Sequence, residues 1–545
     1  MGRNGAKTSD ARKRSTRVNA PSASLLAAAL RDRLAARSWS GWVASPGSRC
    51  APLVRAFQEL NVPSQVLLDE RSAAHWALGA AVATGVPAFA VCTSGTAALN
   101  FGPAVAEAFY QQVPLLVITA DRPADVIDNG HGQSIRQTRI FDDHVVAKAL
   151  LDDRQTLEWN LEVLDRALEG LAFGPVHLNV PLAEPLYEAV APRASGSVGV
   201  QSTTVETLPL EVPDFVLQAK RPLLVLGQWN PAWGDPEPAV CTLAAKGWTV
   251  AADPLSQLPS DAAEQLEDTW TLGALKPDAV VTMGGAWVAK QAKMGLRSTP
   301  HWAVGPRDPL PDMFGNLQAR GYAAPLEGLD ALANQAQDLG CRWVPQTRRA
   351  VPTSGWHDLT LHRLLAQEVP AGFDVHWANS TPVRYANFWW GQGQYVRGIR
   401  HFSNRGASGI DGMTSTALGA MWSTNRPTLL VTGELGFLYD GGAGIAYEAL
   451  PALKVVVINN QGGQIFQWLN GPRESGQFER NFAFRHARSV RSCAENQGFA
   501  YRAARNEEEF RSQIHALLND SVATVLEVYT DPDASEKAWK GRFGA

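Results

Sequence analysis

Residues 428–463 read TLLVTGELGFLYDGGAGIAYEALPALKVVVINNQGG. Two short runs, Thr428–Thr432 and Lys454–Asn459, are dominated by Leu, Val and Ile and have no polar face, the pattern of strands buried on both sides of a parallel sheet. Each run ends in polar, glycine-rich punctuation: Gly433-Glu434 after the first, Asn459-Asn460-Gln461-Gly462-Gly463 after the second. Ligands of open α/β sheets sit outside the carboxyl ends of the strands. A carboxylate at one strand end and amide oxygens at the next suit a hard divalent cation. The helix start and glycines between them suit a diphosphate. Two ordinary glycine-rich turns would leave the same trace, so the rest of the chain has to decide.

Outward from that stretch, the alternation of short apolar strands with helical periodicity continues through three blocks. The third also holds strands near Asp374–Trp377 and Val522–Tyr529. The first reads as a helix over 22–37, strands at Trp42–Ala44 and Gln65–Leu68, and a helix at Ala73–Val82. A strand at Ala88–Cys92, one helix over Thr96–Tyr110 and strands at Leu115–Thr119 and Val176–Val180 follow. The second has strands at Pro222–Leu226, Trp248–Ala251, Ala279–Met283 and His301–Val304, and few clustered polar groups. Linkers are expected at 191–214 and 343–355. The predicted fold class is α/β, three doubly wound parallel-sheet domains over 21–190, 215–342 and 356–545, preceded by a disordered basic arm at 1–20.

Composition agrees with this and narrows the function. The chain has 545 residues, 45% apolar and 19% charged, enough for three or four cores and unlike a disordered or fibrous chain. Its net charge is −4, but the first 20 residues carry six basic groups against Asp10, which leaves −9 for the remainder. An acidic body is a poor nucleic-acid binder, so an anionic ligand must be held by local arginines. The arm lacks an apolar core and is not a secretory signal; a transit peptide stays open. Five cysteines without CxxC spacing argue against a disulfide framework or a zinc site. No stretch is a credible membrane span, and a cytoplasmic location is expected. Among the histidines, His75 and His177 sit in apolar segments and read as satisfied core residues, whereas the role of His131 is open. The 18 tryptophans read as packing, seven of them between Trp229 and Trp343.

The first block supplies a complement to the 428–463 stretch. Asp69-Glu70-Arg71 follows a strand, and a buried carboxylate there can hold a proton on a cofactor ring. Further on stand Ser45-Pro-Gly-Ser-Arg49, Thr93-Ser-Gly-Thr96, Thr119-Ala-Asp-Arg-Pro123, Gln133-Ser-Ile-Arg-Gln137, Asn404-Arg-Gly-Ala-Ser-Gly-Ile-Asp-Gly412 and Gly462-Gly-Gln-Ile-Phe466. In this order, over roughly 22–190 and 372–530, they closely resemble the thiamine-diphosphate-dependent SEPHCHC synthase family of menaquinone biosynthesis (2-succinyl-5-enolpyruvyl-6-hydroxy-3-cyclohexene-1-carboxylate synthases). The resemblance is weak in the middle block.

The resemblance implies an enzyme, a carboligating transferase that decarboxylates 2-oxoglutarate with thiamine diphosphate and adds the succinyl carbanion to isochorismate. It makes 21–190 the pyrimidine-binding domain, 356–545 the diphosphate-binding domain, and 215–342 a central Rossmann-like domain. Glu70 would be the catalytic partner of N1′. Glu434, Asn460 and the Gly462 carbonyl would hold Mg²⁺, with Mn²⁺ as a substitute. Ile410, Gly433, Asn459, Gly463 and Ile465 would contact the cofactor, with Ile410 bending it. Both substrates are dicarboxylates, which calls for forked cations. Ser48, Arg49, Arg122, Gln133, Ser380, Arg384, Arg405 and Phe466 would bind them; Arg136 and Lys290 are weaker candidates. The family also implies a homodimer or homotetramer with its site between subunits, small-molecule partners only, and neither nucleic acid nor a membrane span.

Three departures from the family pattern bear on the site: Glu434 replaces an aspartate, Gly436 a serine, and Gly132 stands where an asparagine is expected. In the middle block, Gln291 occupies a position that should hold an arginine. Two other readings therefore stay open: a different thiamine-diphosphate 2-oxoacid decarboxylase or carboligase, and a catalytically inactive binding or regulatory homologue.

Overall fold

A strand with no polar face must be covered on both sides, and the chain meets that demand three times over. The computed structural model describes residues 21–190, 210–266, 276–340, 354–474 and 476–542, leaving aside the side chain of Asn470. The basic arm, most of both linkers, Trp270, Trp343 and Cys341 lie outside the described residues.

The first sheet contains β1 (Gly41–Ser45), β2 (Ser64–Val66), β3 (Ala88–Cys92), β4 (Leu115–Asp121), β5 (Ala147–Leu150) and β6 (Val176–Pro181) in the order β2-β1-β3-β4-β6-β5. The second contains β7 (Pro222–Leu226), β8 (Thr249–Ala252), β9 (Ala279–Met283), β10 (His301–Gly305) and β11 (Leu317–Tyr322) in the order β11-β10-β9-β7-β8. The third contains β12 (Asp374–Trp377), β13 (Arg400–Phe402), β14 (Thr428–Gly433), β15 (Lys454–Asn459), β16 (Ala500–Ala504) and β17 (Thr524–Tyr529) in the order β13-β12-β14-β15-β17-β16. All pairings within the sheets are parallel, as expected of doubly wound units. The first and third sheets share one strand order. In each, the winding direction reverses between the first and third strands in sequence, and the crevice opened there is the ligand position of this architecture.

Four strands were not expected: β5, β11, β13 and β16. Each forms an edge of its sheet, and β5, β11 and β16 put residues into solvent along their length. An edge strand does not have to be apolar throughout, so the signal that reveals the central strands is missing. The helix expected over Thr96–Tyr110 is two helices, Thr96–Asn100 and Gly102–Gln111; Pro103, at the start of the second, has no N–H to continue the ladder. The middle-block tryptophans Trp229, Trp248, Trp287 and Trp302 are buried in the packing role expected of them.

The first and third units meet along two helices, Glu70–Thr84 and Met413–Thr424, whose main chains touch at glycines. A Cβ on Gly79 would lie 2.0 Å from the Thr416 carbonyl oxygen, and one on Gly419 2.0 Å from that of Trp76. Trp76 Nε1 donates to the Ala443 carbonyl at 3.1 Å, and Leu67 bridges Ala446. The middle unit joins through Gln228, whose amide donates to Gln111 Oε1 (2.9 Å) and to the Ser403 carbonyl (2.8 Å).

Two outcomes follow from this packing. Gly79→Leu should destabilise the chain by roughly 3 kcal/mol or more, because main chain rather than a side chain blocks the new atoms; an unchanged urea midpoint would show that the helices are not in contact. The second concerns pH. Burial depresses His177 and His401 to about 3 and His362 and His376 to about 4. The unfolded chain binds their protons below about pH 6.5, so stability falls as pH drops through 6.5, by about 1.4 kcal/mol per unit for each ring. Asp253 and Asp358, pushed up to about 6 by burial, act in the opposite direction but are fewer. The urea midpoint should be lower at pH 5 than at pH 7; an equal or higher one would contradict this account.

Candidate active site

β14 delivers its last residue, Gly433, to the rim of the third sheet, and Glu434 opens the helix Glu434–Tyr439 with its carboxylate 1% exposed. β15 ends at Asn459, whose Oδ1 accepts from the Gln461 N–H (3.1 Å) and so bends the chain into a tight turn. The Asn459 amide donates to Glu527 Oε1 (2.6 Å) and to the Arg488 carbonyl (2.9 Å). Burial raises the Glu527 carboxyl, but its donors Ser489, Tyr501, Asn459 and the Val490 N–H outweigh this and hold it below the usual range. Asn459 is therefore committed to shaping the turn and does not line the cavity beside it.

The turn brings Gly462 N–H to Glu434 Oε1 at 2.5 Å. His486 Nε2 lies 3.4 Å from the same oxygen, while its Nδ1 accepts from the Arg488 N–H (3.1 Å), which leaves the proton on Nε2. The longer carboxylate at this position is thus drawn toward the Asn460–Gly462 loop, with the His486 ring beside it. Asn460 Nδ2 donates to Asp358 at 3.0 Å, and its Oδ1 is buried without a hydrogen-bond partner. A buried carboxylate, an orphaned amide oxygen and the Gly462 carbonyl form an all-oxygen set that fits a hard cation such as Mg²⁺. Among the described residues no group of three His, Cys, Asp or Glu side chains could hold a metal, so a mixed set of this kind is the available one.

Beside these oxygens is a cavity of about 480 Å³. It is lined by Ser380, Arg384, Arg405, Ile410, Gly433, Glu434, Asn460, Gly462, Gly463, Ile465 and Phe466, which the sequence had pointed to separately. Ile410 is 45% exposed, an aliphatic surface offered to the cavity. Arg405 donates to Asn379 Oδ1 (3.1 Å), and its Nε is buried without a partner. Burial holds this guanidinium below its ordinary range, against the nearby carboxylates of Asp253 and Glu107. Arg384 donates to the Ser380 carbonyl. Glu107, from the first unit, accepts the Gly406 and Ala407 N–H groups at 2.6 and 2.7 Å and so anchors the loop that carries Arg405 and Ile410.

The first unit holds the remaining expected residues as a second group. Arg49 is buried and donates to the Leu182 carbonyl (2.6 Å) and Glu184 (3.1 Å); burial, then the charge of Arg122, lowers it. Arg122 donates to the carbonyl of Gly132 at 2.8 Å, so the residue that replaces an asparagine contributes through its main chain. Ser94 Oγ ties down the Gln133 carbonyl at 2.8 Å, and Gln137 accepts from Gly95 N–H at 2.8 Å. Ser48, His131 and Gln133 are exposed. Asp69 caps its helix by accepting from Ser72 N–H (3.1 Å), which places Glu70 at the first helical position, partly exposed rather than buried. None of these first-unit residues lines the cavity.

The weaker candidates are not brought to either group. Arg136 is a surface residue paired with Asp128 (2.8 Å), and Lys290 and Gln291 are exposed and absent from the lining. The middle unit instead offers Lys293, which burial lowers, with the charges of Arg405 and Arg384 adding to the effect and Asp253 opposing it. Lys293, Asp253, Glu107, His486 and Asp358 were all missed by sequence reasoning, since none belongs to a motif. Gly436 has little spare room: a Cβ there would come within 3.2 Å of Thr432 Oγ1, a tight contact with a side chain.

Comparison with known proteins identifies the family. Residues 25–140 match the family described as "Thiamine pyrophosphate enzyme, N-terminal TPP binding domain". The 2-succinyl-5-enolpyruvyl-6-hydroxy-3-cyclohexene-1-carboxylate synthase of Flavobacterium psychrophilum is 32% identical over 521 residues, covering 90% of this chain and 92% of the relative. The enzyme of the same name from Flavobacterium johnsoniae is 33% identical over 523 residues, 90% of this chain and 93% of the relative. That from Porphyromonas gingivalis is 34% identical over 535 residues, 90% and 91% respectively.

If the oxygen set holds a cation, Glu434→Ala should weaken Mn²⁺ binding by more than about 100-fold, beyond the usual effect of an outer-shell change, whereas Glu434→Asp should keep it. Mn²⁺ titration followed by electron paramagnetic resonance reads both; unaltered binding in the alanine variant would remove the carboxylate from the set.

Proposed function

The chain belongs to the SEPHCHC synthase family of thiamine-pyrophosphate enzymes, and from that premise we propose that it joins the succinyl unit of 2-oxoglutarate, after loss of CO₂, to isochorismate by 1,4-addition, in the cytoplasm and on the route to menaquinone. The observation that carries the proposal is the single cavity in which Arg384 and Arg405 stand beside the oxygens of Glu434, Asn460 and Gly462. A site built for an uncharged acceptor has no use for two guanidinium groups, whereas two dicarboxylates require them.

Thiamine diphosphate, when bound, supplies an electron sink for the bond that releases CO₂. The chain's residues do the rest. Glu70 holds a proton at N1′ of the aminopyrimidine. Glu434, Asn460 and the Gly462 carbonyl would hold Mg²⁺, and Gly433 and Gly463 would leave room for the diphosphate. Ile410 would give the cofactor an aliphatic support, and Ile465 and Phe466 would form an apolar wall that keeps water from the reacting carbon. Arg49, Arg122, Arg384 and Arg405, with Ser48, Gln133 and Ser380, grip and orient the substrate carboxylates, and Lys293 adds a positive charge from the middle unit.

In this reading 21–190 acts as the pyrimidine-binding domain, 356–545 as the diphosphate-binding domain and 215–342 as the domain between them. Because Glu70 and Arg49 stand away from the cavity, a second copy of the chain has to bring its own first unit to it, which requires a dimer or tetramer.

The test is an assay of the purified protein with thiamine diphosphate, Mg²⁺, 2-oxoglutarate and isochorismate, read as loss of isochorismate absorbance and mass of the adduct. CO₂ release without an adduct would point to another carboligase, and no binding of thiamine diphosphate to an inactive homologue. Glu70→Gln should lower kcat by about 10²–10⁴-fold, the scale of a lost acid–base contact; near-normal turnover would sink its role at N1′.

A further inference from the structure

A side-chain carboxamide has a donor end and an acceptor end of nearly the same shape, and its neighbours decide which way it faces. For Asn460 the deciding neighbour stands 102 residues upstream. Asp358 is the first residue of the helix Asp358–Glu368 and is fully buried. Its main-chain N–H donates to Ser535 Oγ at 3.0 Å, and its Oδ1 accepts from Thr530 Oγ1 at 2.5 Å. Its Oδ2 accepts from Asn460 Nδ2 at 3.0 Å. An ionised carboxylate accepts and cannot donate, so the end of Asn460 that meets it must be the NH₂. The amide oxygen is thereby turned away from Asp358, buried and without a partner, on a residue that lines the cavity with Glu434 and Gly462. An orphaned acceptor in the interior is costly unless something outside the chain fills it.

We propose that Asp358 is a positioning residue of the cation site, fixing the Asn460 carboxamide with its oxygen, not its nitrogen, toward the ion. The inference rests on the reading of Glu434, Asn460 and Gly462 as cation ligands and deepens it. Asp358 does not touch the ion, and its helix is capped by another residue: His357 Nδ1 accepts the Thr360 N–H at 3.2 Å. Thr530 holds the carboxylate of Asp358 and Ser535 its main chain, so the orientation of one ligand is set jointly by the start of this helix and by the segment after β17.

The experiment uses the full chain with thiamine diphosphate and follows Mn²⁺ by electron paramagnetic resonance, with the thermal midpoint as a separate readout. In Asp358→Asn the introduced amide can offer its own NH₂ to Asn460 and turn that side chain over, aiming a donor at the ion. Mn²⁺ affinity should fall by about 10–100-fold, the usual effect of losing an outer-shell partner. In the swapped pair, Asp358→Asn with Asn460→Asp, the introduced carboxylate can accept from the amide and still give an oxygen to the ion, so affinity should return to within about tenfold of the natural chain. The swap keeps one carboxylate and one amide together, and it carries the test if the single variant does not fold. Unchanged affinity in Asp358→Asn, or a swapped pair that folds but stays as weak as the single variant, would overturn the inference and leave the cation site standing. A natural chain that binds no Mn²⁺ would overturn the cation reading, and this inference with it.

Discussion

The close approach of the Glu70–Thr84 and Met413–Thr424 helices is the constraint on which the remaining geometry rests. Main chain lies against main chain at Gly79 and Gly419, with no room for even a methyl group at either glycine. Such a contact has little freedom to slide, because interiors packed at this density resist displacement of even one methylene. It fixes the helix that starts at Asp69 and Glu70 relative to the helix that follows the Asn404–Gly412 loop. Around it, Ser72 bonds Asp440, Trp76 bonds the Ala443 carbonyl and Glu107 takes two N–H groups from Gly406 and Ala407. The first unit therefore sets the position of Arg405 and Ile410, although both belong to the third.

The charge arrangement follows from burial rather than from composition. The chain is acidic overall, yet Arg49 and Arg405 are driven into places where burial disfavours their charge. Each keeps acidic company that prevents expulsion: Glu184 for Arg49, Asp253 and Glu107 for Arg405. Neither is fully satisfied, since the Nε of both, and that of Arg122, is buried without a partner. A desolvated guanidinium with an unmet donor interacts more strongly with an arriving carboxylate than one already solvated in water. The substitution of glutamate at position 434 is accommodated in a similar way: the added methylene brings the carboxylate to the Gly462 N–H and beside His486 instead of leaving it stranded.

Central strands were legible because burial on both faces demands uninterrupted apolar runs, as in Leu115–Thr119 and Lys454–Asn459. The edges β5, β11 and β16 were not, since half-exposed strands carry no such demand. The third-unit cavity was legible residue by residue, because its walls are loops at strand ends and each loop is contiguous in the chain. Arg136, Lys290 and Gln291 stand on the surface and line no part of that cavity.

By itself the sequence determined the α/β class, the three units, the loops that surround the cavity and the resemblance that names its chemistry. These depend on local runs of residues, and local runs keep their meaning whatever lies beyond them. Only the tertiary structure decided that Glu70 and Arg49 stand apart from the cavity of their own chain, and that Lys293 rather than Lys290 shares the field of Arg384 and Arg405. It alone showed that Asp358 meets Asn460. The physical reason is one of distance: a hydrogen bond or a charge acts over a few ångströms of space, and no periodicity or spacing records which residues a fold will bring that close.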